Sequence, residues 1–159
     1  MGIALRPFKY GPVTEPRRRP NSSGSASATI WPPGRPAPGP KATEWAGNKS
    51  CAAPGVCTAQ GNILAGPGVV DSMVAAFERT TGRLQLRLVA ALEAGQLAGG
   101  DKRGQQSAAM IIVNVKKGCG IWLNNDVVLR LQVDDSPEPI KELRRLAEHQ
   151  AAQRRNRSC

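Results

Sequence analysis

Histidine occurs once, at His149, and aromatic residues make up only 4% of the chain. One imidazole and four scattered cysteines do not make the paired Cys/His spacing of a structural zinc site. So few aromatic rings argue against a platform that stacks unpaired nucleic-acid bases. No window of 18 apolar residues exists, which excludes a membrane-spanning helix. The N-terminus lacks the apolar core of a secretory signal. Gly2 follows Met1, but position 6 is Arg6 rather than Ser or Thr, so the myristoylation pattern fails. The expectation is a cytoplasmic protein with no membrane association, reduced thiols, no cofactor and no metal. Cys51 and Cys57, separated by five residues, are a pair that an oxidising compartment would allow to close.

Acidic residues are also scarce: 12 Asp and Glu face 22 Lys and Arg, for a net charge of +10. The excess is uneven. Positions 1–41 hold seven basic residues, one acidic residue and nine of the 13 prolines. Proline fixes φ and removes a backbone donor, so a run such as Trp31-Pro-Pro-Gly-Arg-Pro-Ala-Pro-Gly-Pro40 favours extended polyproline conformations. Residues 1–41 therefore read as a disordered Pro/Gly/Arg-rich arm, residues 42–150 as the folded part and residues 151–159 as a basic tail.

Within the folded part, Val56–Gln60 reads as a short strand and Gln60–Gly66 as a turn. Val70, Met73, Val74 and Phe77 recur every three or four residues, which predicts a helix over about 67–80 with Pro67 in its first turn. A second helix is expected over about 83–97, with a stripe of Leu84, Leu88, Ala91 and Leu92 that can extend to Gly95, closed by Gly99-Gly100. Residues 107–115 form an apolar, β-branched run of the kind covered on both faces. Gly118-Cys119-Gly120 reads as a turn. From Val127 the chain alternates, with Val127, Leu129, Leu131 and Val133 on one face. Ser136 is a candidate N-cap with Pro137 following, and Ile140, Leu143, Leu146 and Ala147 make a third helical stripe. The class is α+β. Two strands against three helices make a poor sheet, so this sheet needs more strands than the pattern supplies.

Three motifs then fall in one order: Gln60-Gly-Asn-Ile-Leu-Ala-Gly66 after Trp45-Ala-Gly47; Ala94-Gly-Gln96 through Gly99-Gly-Asp-Lys-Arg-Gly-Gln-Gln-Ser107; and Val133-Asp-Asp-Ser-Pro-Glu-Pro-Ile140. Together they resemble the C-terminal half of the domain-of-unknown-function 1028 family, whose members resemble N-terminal-nucleophile (Ntn) hydrolases. The resemblance implies an αββα sandwich, of which residues 42–150 would form a part. It also implies an N-terminal Thr, Ser or Cys nucleophile acting on amide-type bonds. This chain departs from the pattern. The nucleophile-bearing half is replaced by the arm, and Ser136 stands where a histidine commonly follows the two aspartates. Arg130 and Gln132 stand where an Asp and an Arg are usual.

The glycine-flanked loop Gly99–Ser107 is the strongest candidate site, since loops held between rigid elements often carry binding residues. Arg103 can clamp a carboxylate or phosphate, and Asp101 can orient it or receive a proton. Gln106 lies in the same loop, and Gln60 and Asn62 offer amide donors. The plainer alternative makes Asp101 and Arg103 a structural pair and Gln60-Gly-Asn62 a turn. Asp134 and Asp135 read as helix-start residues rather than as an acid–base pair, His149 as a solvated helix residue, and Trp122 as a packing residue. The leading functional reading is a truncated Ntn-hydrolase-like protein of unknown substrate and without catalysis of its own. It would pair with a complementary N-terminal half or with itself. The other reading is a basic module that binds nucleic acid or a protein partner through residues 1–41.

Overall fold

The computed structural model describes residues 2–5, 39–53, 57–113 and 127–153. The polyproline run, the Gly118-Cys119-Gly120 turn, Trp122 and the basic residues after 153 lie outside these.

Strands β1 (Gly2–Leu5), β2 (Gly47–Ser50) and β3 (Cys57–Gly61) form an antiparallel sheet in the order β1-β3-β2. Helices α1 (Gly68–Arg79) and α2 (Leu84–Leu97) follow. Strands β4 (Ala108–Val113) and β5 (Val127–Val133) then make a separate antiparallel pair, and α3 (Pro139–Gln153) closes the chain order. The architecture is α+β, with two small antiparallel sheets against one set of helices.

Each helix begins and ends where its local chemistry directs. Pro67 precedes α1, where a missing N–H costs nothing. Asp71 lies in the first turn and Arg79 in the last, matching the helix dipole. The Thr80 backbone N–H and hydroxyl both donate to the Ala76 carbonyl at the C-terminus, at 3.0 and 2.7 Å. Gly99 and Gly100, at φ 112° and 54°, turn the chain out of α2. Helix α3 starts two residues later than the Ser136-Pro137 pattern suggests. The Ser136 hydroxyl instead accepts from the Glu138 N–H at 3.2 Å, a local turn that leads into the helix.

Two apolar cores flank α2. One joins sheet β1-β3-β2 to α1 and α2 through Ala59, Leu64, Val70, Met73, Phe77 and Ala91. The other joins β4-β5 to α2 and α3 through Val89, Met110, Leu129, Val133, Leu143 and Ala147. Leu88 and Leu92 touch both. That position corrects the single stripe expected for α2. Gln85, Val89, Ala91 and Gly95 are its buried residues, while Leu84, Leu88 and Leu92 are half-buried, because a helix between two cores buries more than one face. Burying each large side chain such as Phe77 or Leu64 stabilises the fold by about 1.5–3 kcal/mol. Arg144 of α3 also grips Glu93 of α2 with two guanidinium nitrogens.

Three further features differ from the sequence-based expectation. Gly2–Leu5, inside the supposed arm, pairs with β3, Gly2 opposite Gln60 and Leu5 opposite Cys57. Four residues are too few for their alternation to be read in isolation. Cys51 and Cys57 form a disulfide, where reduced thiols were expected. The β2–β3 pairing sets their Cα atoms 5.2 Å apart, and the Cys51 N–H donates to the Cys57 carbonyl. Finally, β4 was expected to be buried on both faces: Met110 is buried, but Ile111 and Val113 on the other face are 58% and 48% exposed.

Candidate functional site

The Gly99–Ser107 loop is fixed from both ends. Asp101 forms an isolated antiparallel bridge with Leu64. The Ala65 N–H donates to the Gly100 carbonyl at 3.0 Å, and the Lys102 N–H donates to the Ile63 carbonyl at 2.8 Å. Ile63 adopts φ 56°, a left-handed conformation that a β-branched residue rarely takes, and these bonds hold it there. Further on, the Ser136 N–H donates to the Gln106 carbonyl, and the Gln106 side-chain amide donates to Asp135 at 3.3 Å. The loop thus joins the β3–α1 turn at one end to the start of α3 at the other.

At its centre Arg103 closes on Asp101. Arg103 donates from its backbone N–H and from Nε to Oδ1, both at 2.9 Å, and from Nη2 to Oδ2 at 2.6 Å. Both carboxylate oxygens are therefore engaged. The side-chain hydrogen bond from Arg103 holds the Asp101 carboxyl below its ordinary range, against a smaller opposing effect of burial. A carboxylate so held is a poor proton acceptor near neutrality. The geometry has Asp101 fixing the orientation of the Arg103 side chain. Arg103 is the more exposed partner, at 67% against 21% for the Asp101 side chain. Its planar group is held along the Nε–Nη2 edge, and among the described residues Nη1 has no partner.

Beside this pair lies a cavity of about 390 Å³. Leu92 and Gln96 of α2, Gln105 and Gln106 of the loop, and Ile140 of α3 line it together with Asp101 and Arg103. Among the described residues, Gln105 Oε1 is the buried side-chain oxygen without a hydrogen-bond partner. A buried acceptor left unpaired is costly, and a ligand N–H would relieve it.

Of the five residues singled out in the sequence, the structure brings Asp101, Arg103 and Gln106 to this cavity. Gln60 and Asn62 do not line it. Gln60 is paired on both sides within the first sheet, to Gly2 and Asn48, and Asn62 is in the exposed turn after β3. Gln105 lies in the candidate loop and lines the cavity too, whereas Gln96 and Ile140 were missed. Gln96 is one turn before the loop on α2, and only folding brings Ile140 across from α3. Ser107 lines the same cavity, but the sole histidine, His149, is exposed on α3, where it meets Gln153. Asp134 and Asp135 accept from Gln132 and Gln106, and among the described residues no three His, Cys, Asp or Glu side chains are grouped to hold a metal ion.

The comparisons with known proteins agree with the motifs. The model of a family of unknown function, DUF1028, matches residues 37–143. The chain belongs to the DUF1028 family. Among solved structures, this DUF1028 chain is similar to protein SPO2555 from Silicibacter pomeroyi, whose crystal structure carries the same family designation. The two are 28% identical with a TM-score of 0.53, over 70% of this chain and 42% of that one. The chain thus spans about two fifths of the length of that relative. No curated protein matches the DUF1028 chain. No helix among the described residues is long and apolar enough to cross a membrane.

Proposed function

We propose that this chain is the ligand-holding part of an Ntn-hydrolase-like protein, and that it cleaves no amide bond on its own. The observation that carries the reading is the Asp101–Arg103 pair at the rim of a cavity that Gln105, Gln106, Leu92 and Ile140 also line. An oriented guanidinium suits a carboxylate, and the glutamine side chains that line the cavity suit an N–H. A small N-acylated amino acid presents both groups and fits the apolar wall of Leu92 and Ile140. Family membership and the α+β architecture support the Ntn-like assignment. The nucleophile would come from a complementary polypeptide, since Ser107, which lines the cavity, is internal and lacks the free α-amine that activates an Ntn nucleophile.

Calorimetric titration of the full chain with a panel of N-acetyl amino acids tests this. Binding is expected, and Arg103→Met should weaken it tenfold or more, as loss of a hydrogen bond to a charged group costs about 1.5–3 kcal/mol. Absence of binding, or binding indifferent to Arg103→Met, would sink the assignment. Release of free amino acid by the chain alone would overturn the non-catalytic half of it.

A further inference from the structure

Three glutamines reach the cavity beside the Asp101–Arg103 pair, and they are not equivalent. The Gln106 amide already donates to Asp135 at 3.3 Å. Gln105 and Gln106 both stand on the loop. Gln96 stands on α2, a rigid element, and its amide lies across the loop backbone. A Cβ built at Gly100 would be 2.5 Å from Gln96 Oε1 and 3.1 Å from Nε2. Gly100 is buried, with φ 54°. Asparagine and aspartate also adopt that left-handed conformation, so the turn by itself does not require glycine. The Gln96 amide does, because any side chain at position 100 has to displace it.

Leu92 stands four residues before Gln96, on the same face of α2 and about 6 Å away along the helix axis. Gly100, under the Gln96 amide, directly precedes Asp101, which holds Arg103. The site therefore presents a guanidinium, a carboxamide and an apolar side chain in that order. An N-acylated amino acid presents a carboxylate, an amide and an acyl group in the same order. We propose that Gln96 is the specificity-determining residue of this site. Its Oε1 accepts the N–H of the ligand's amide, so the cavity selects amides over the corresponding esters, and Gly100 is the positioning residue that leaves room for it. The inference rests on the cavity reading above and names the bond which that cavity recognises. An ester carries oxygen in place of the N–H. It offers Gln96 no donor and sets a lone pair against the Gln96 oxygen.

The test is calorimetric titration of the full chain with N-acetyl amino acids and with the matching 2-acetoxy acids, which differ only in carrying oxygen for N–H. The parent is expected to bind the amide about three- to tenfold more tightly, the effect of one neutral hydrogen bond. Gln96→Met, similar in size but without the amide, should bind both alike, and adding Arg103→Met should still weaken that binding. Gly100→Ala should lose the same preference, since its Cβ displaces the Gln96 amide. The preference is a ratio of two affinities on one protein, so a general loss of folded material does not move it. A preference that survives Gln96→Met, or that is lost in Gln105→Met instead, would overturn the assignment to Gln96 and leave the cavity reading standing. Equal binding of amide and ester by the parent would do the same. No binding of either ligand, or binding indifferent to Arg103→Met, would remove the cavity reading and this inference with it.

Discussion

The indole of Trp45 lies over the Cα of Gly47, so close that a Cβ added there would stand 2.2 Å from its Cη2 atom. The Trp-Ala-Gly motif is thereby explained: the ring packs on the first core only because the residue two positions on has no side chain. Gly47→Ala must displace a rigid ring or a paired strand. It is expected to destabilise the fold by about 1–3 kcal/mol, measured by urea unfolding. An unchanged midpoint would show that the ring moves freely.

The second contact to perturb is Arg87. Its guanidinium lies 4.1 Å from the centre of the Phe77 ring and donates to the Phe77 carbonyl from Nη2 at 3.1 Å. It ties the end of α1 to α2 by a cation–π contact and a hydrogen bond to a terminal carbonyl. Arg87→Met keeps the aliphatic stem and loses both, at a cost of about 1–2 kcal/mol. Thermal melts of the two proteins check it.

The Asp101–Arg103 pair sets a pH dependence. The Asp101 pKa is lowered in the folded state, so its contribution to stability is present above the unfolded value of about 3.9 and is lost as pH falls through the lowered one. Arg103→Met removes that contribution. The stability difference between the parent and Arg103→Met should be small, as for exposed pairs, fullest at neutral pH, and should shrink well below about pH 4. Denaturant unfolding at the two pH values measures it. A difference that grows in acid would contradict the assigned pairing.

The Cys51–Cys57 disulfide makes a stoichiometric prediction. Of its four cysteines, unreduced, unfolded protein should offer no more than two to a thiol reagent, since Cys51 and Cys57 are joined. The closed loop is short, so reduction should cost only about 2 kcal/mol and lower the melting temperature by several degrees rather than abolish folding.

Much of the fold was legible because it is locally written. The three helices follow from apolar residues spaced three and four apart, and α1 and α2 are present at Gly68–Arg79 and Leu84–Leu97, within a residue of their expected ends. The alternation from Val127 gave β5, with Leu129 and Val133 buried as expected. The Gly99–Ser107 loop stood out by its glycines, and three of the five candidate residues line its cavity.

The amino-acid sequence by itself determined the helices, strand β5, the loop and the family, because each rests on residues close in the chain. Only the tertiary structure decided that Gly2–Leu5 adds to β3 and that Cys51 reaches Cys57. It also decided that Gln60 is tied up in a sheet while Gln105 lines a cavity, and that Ile111 and Val113 of β4 are exposed where Met110 is buried. The physical reason is the same for all four. A strand's alternation says which residues share a face, but what lies against that face or along that edge depends on segments far away in sequence.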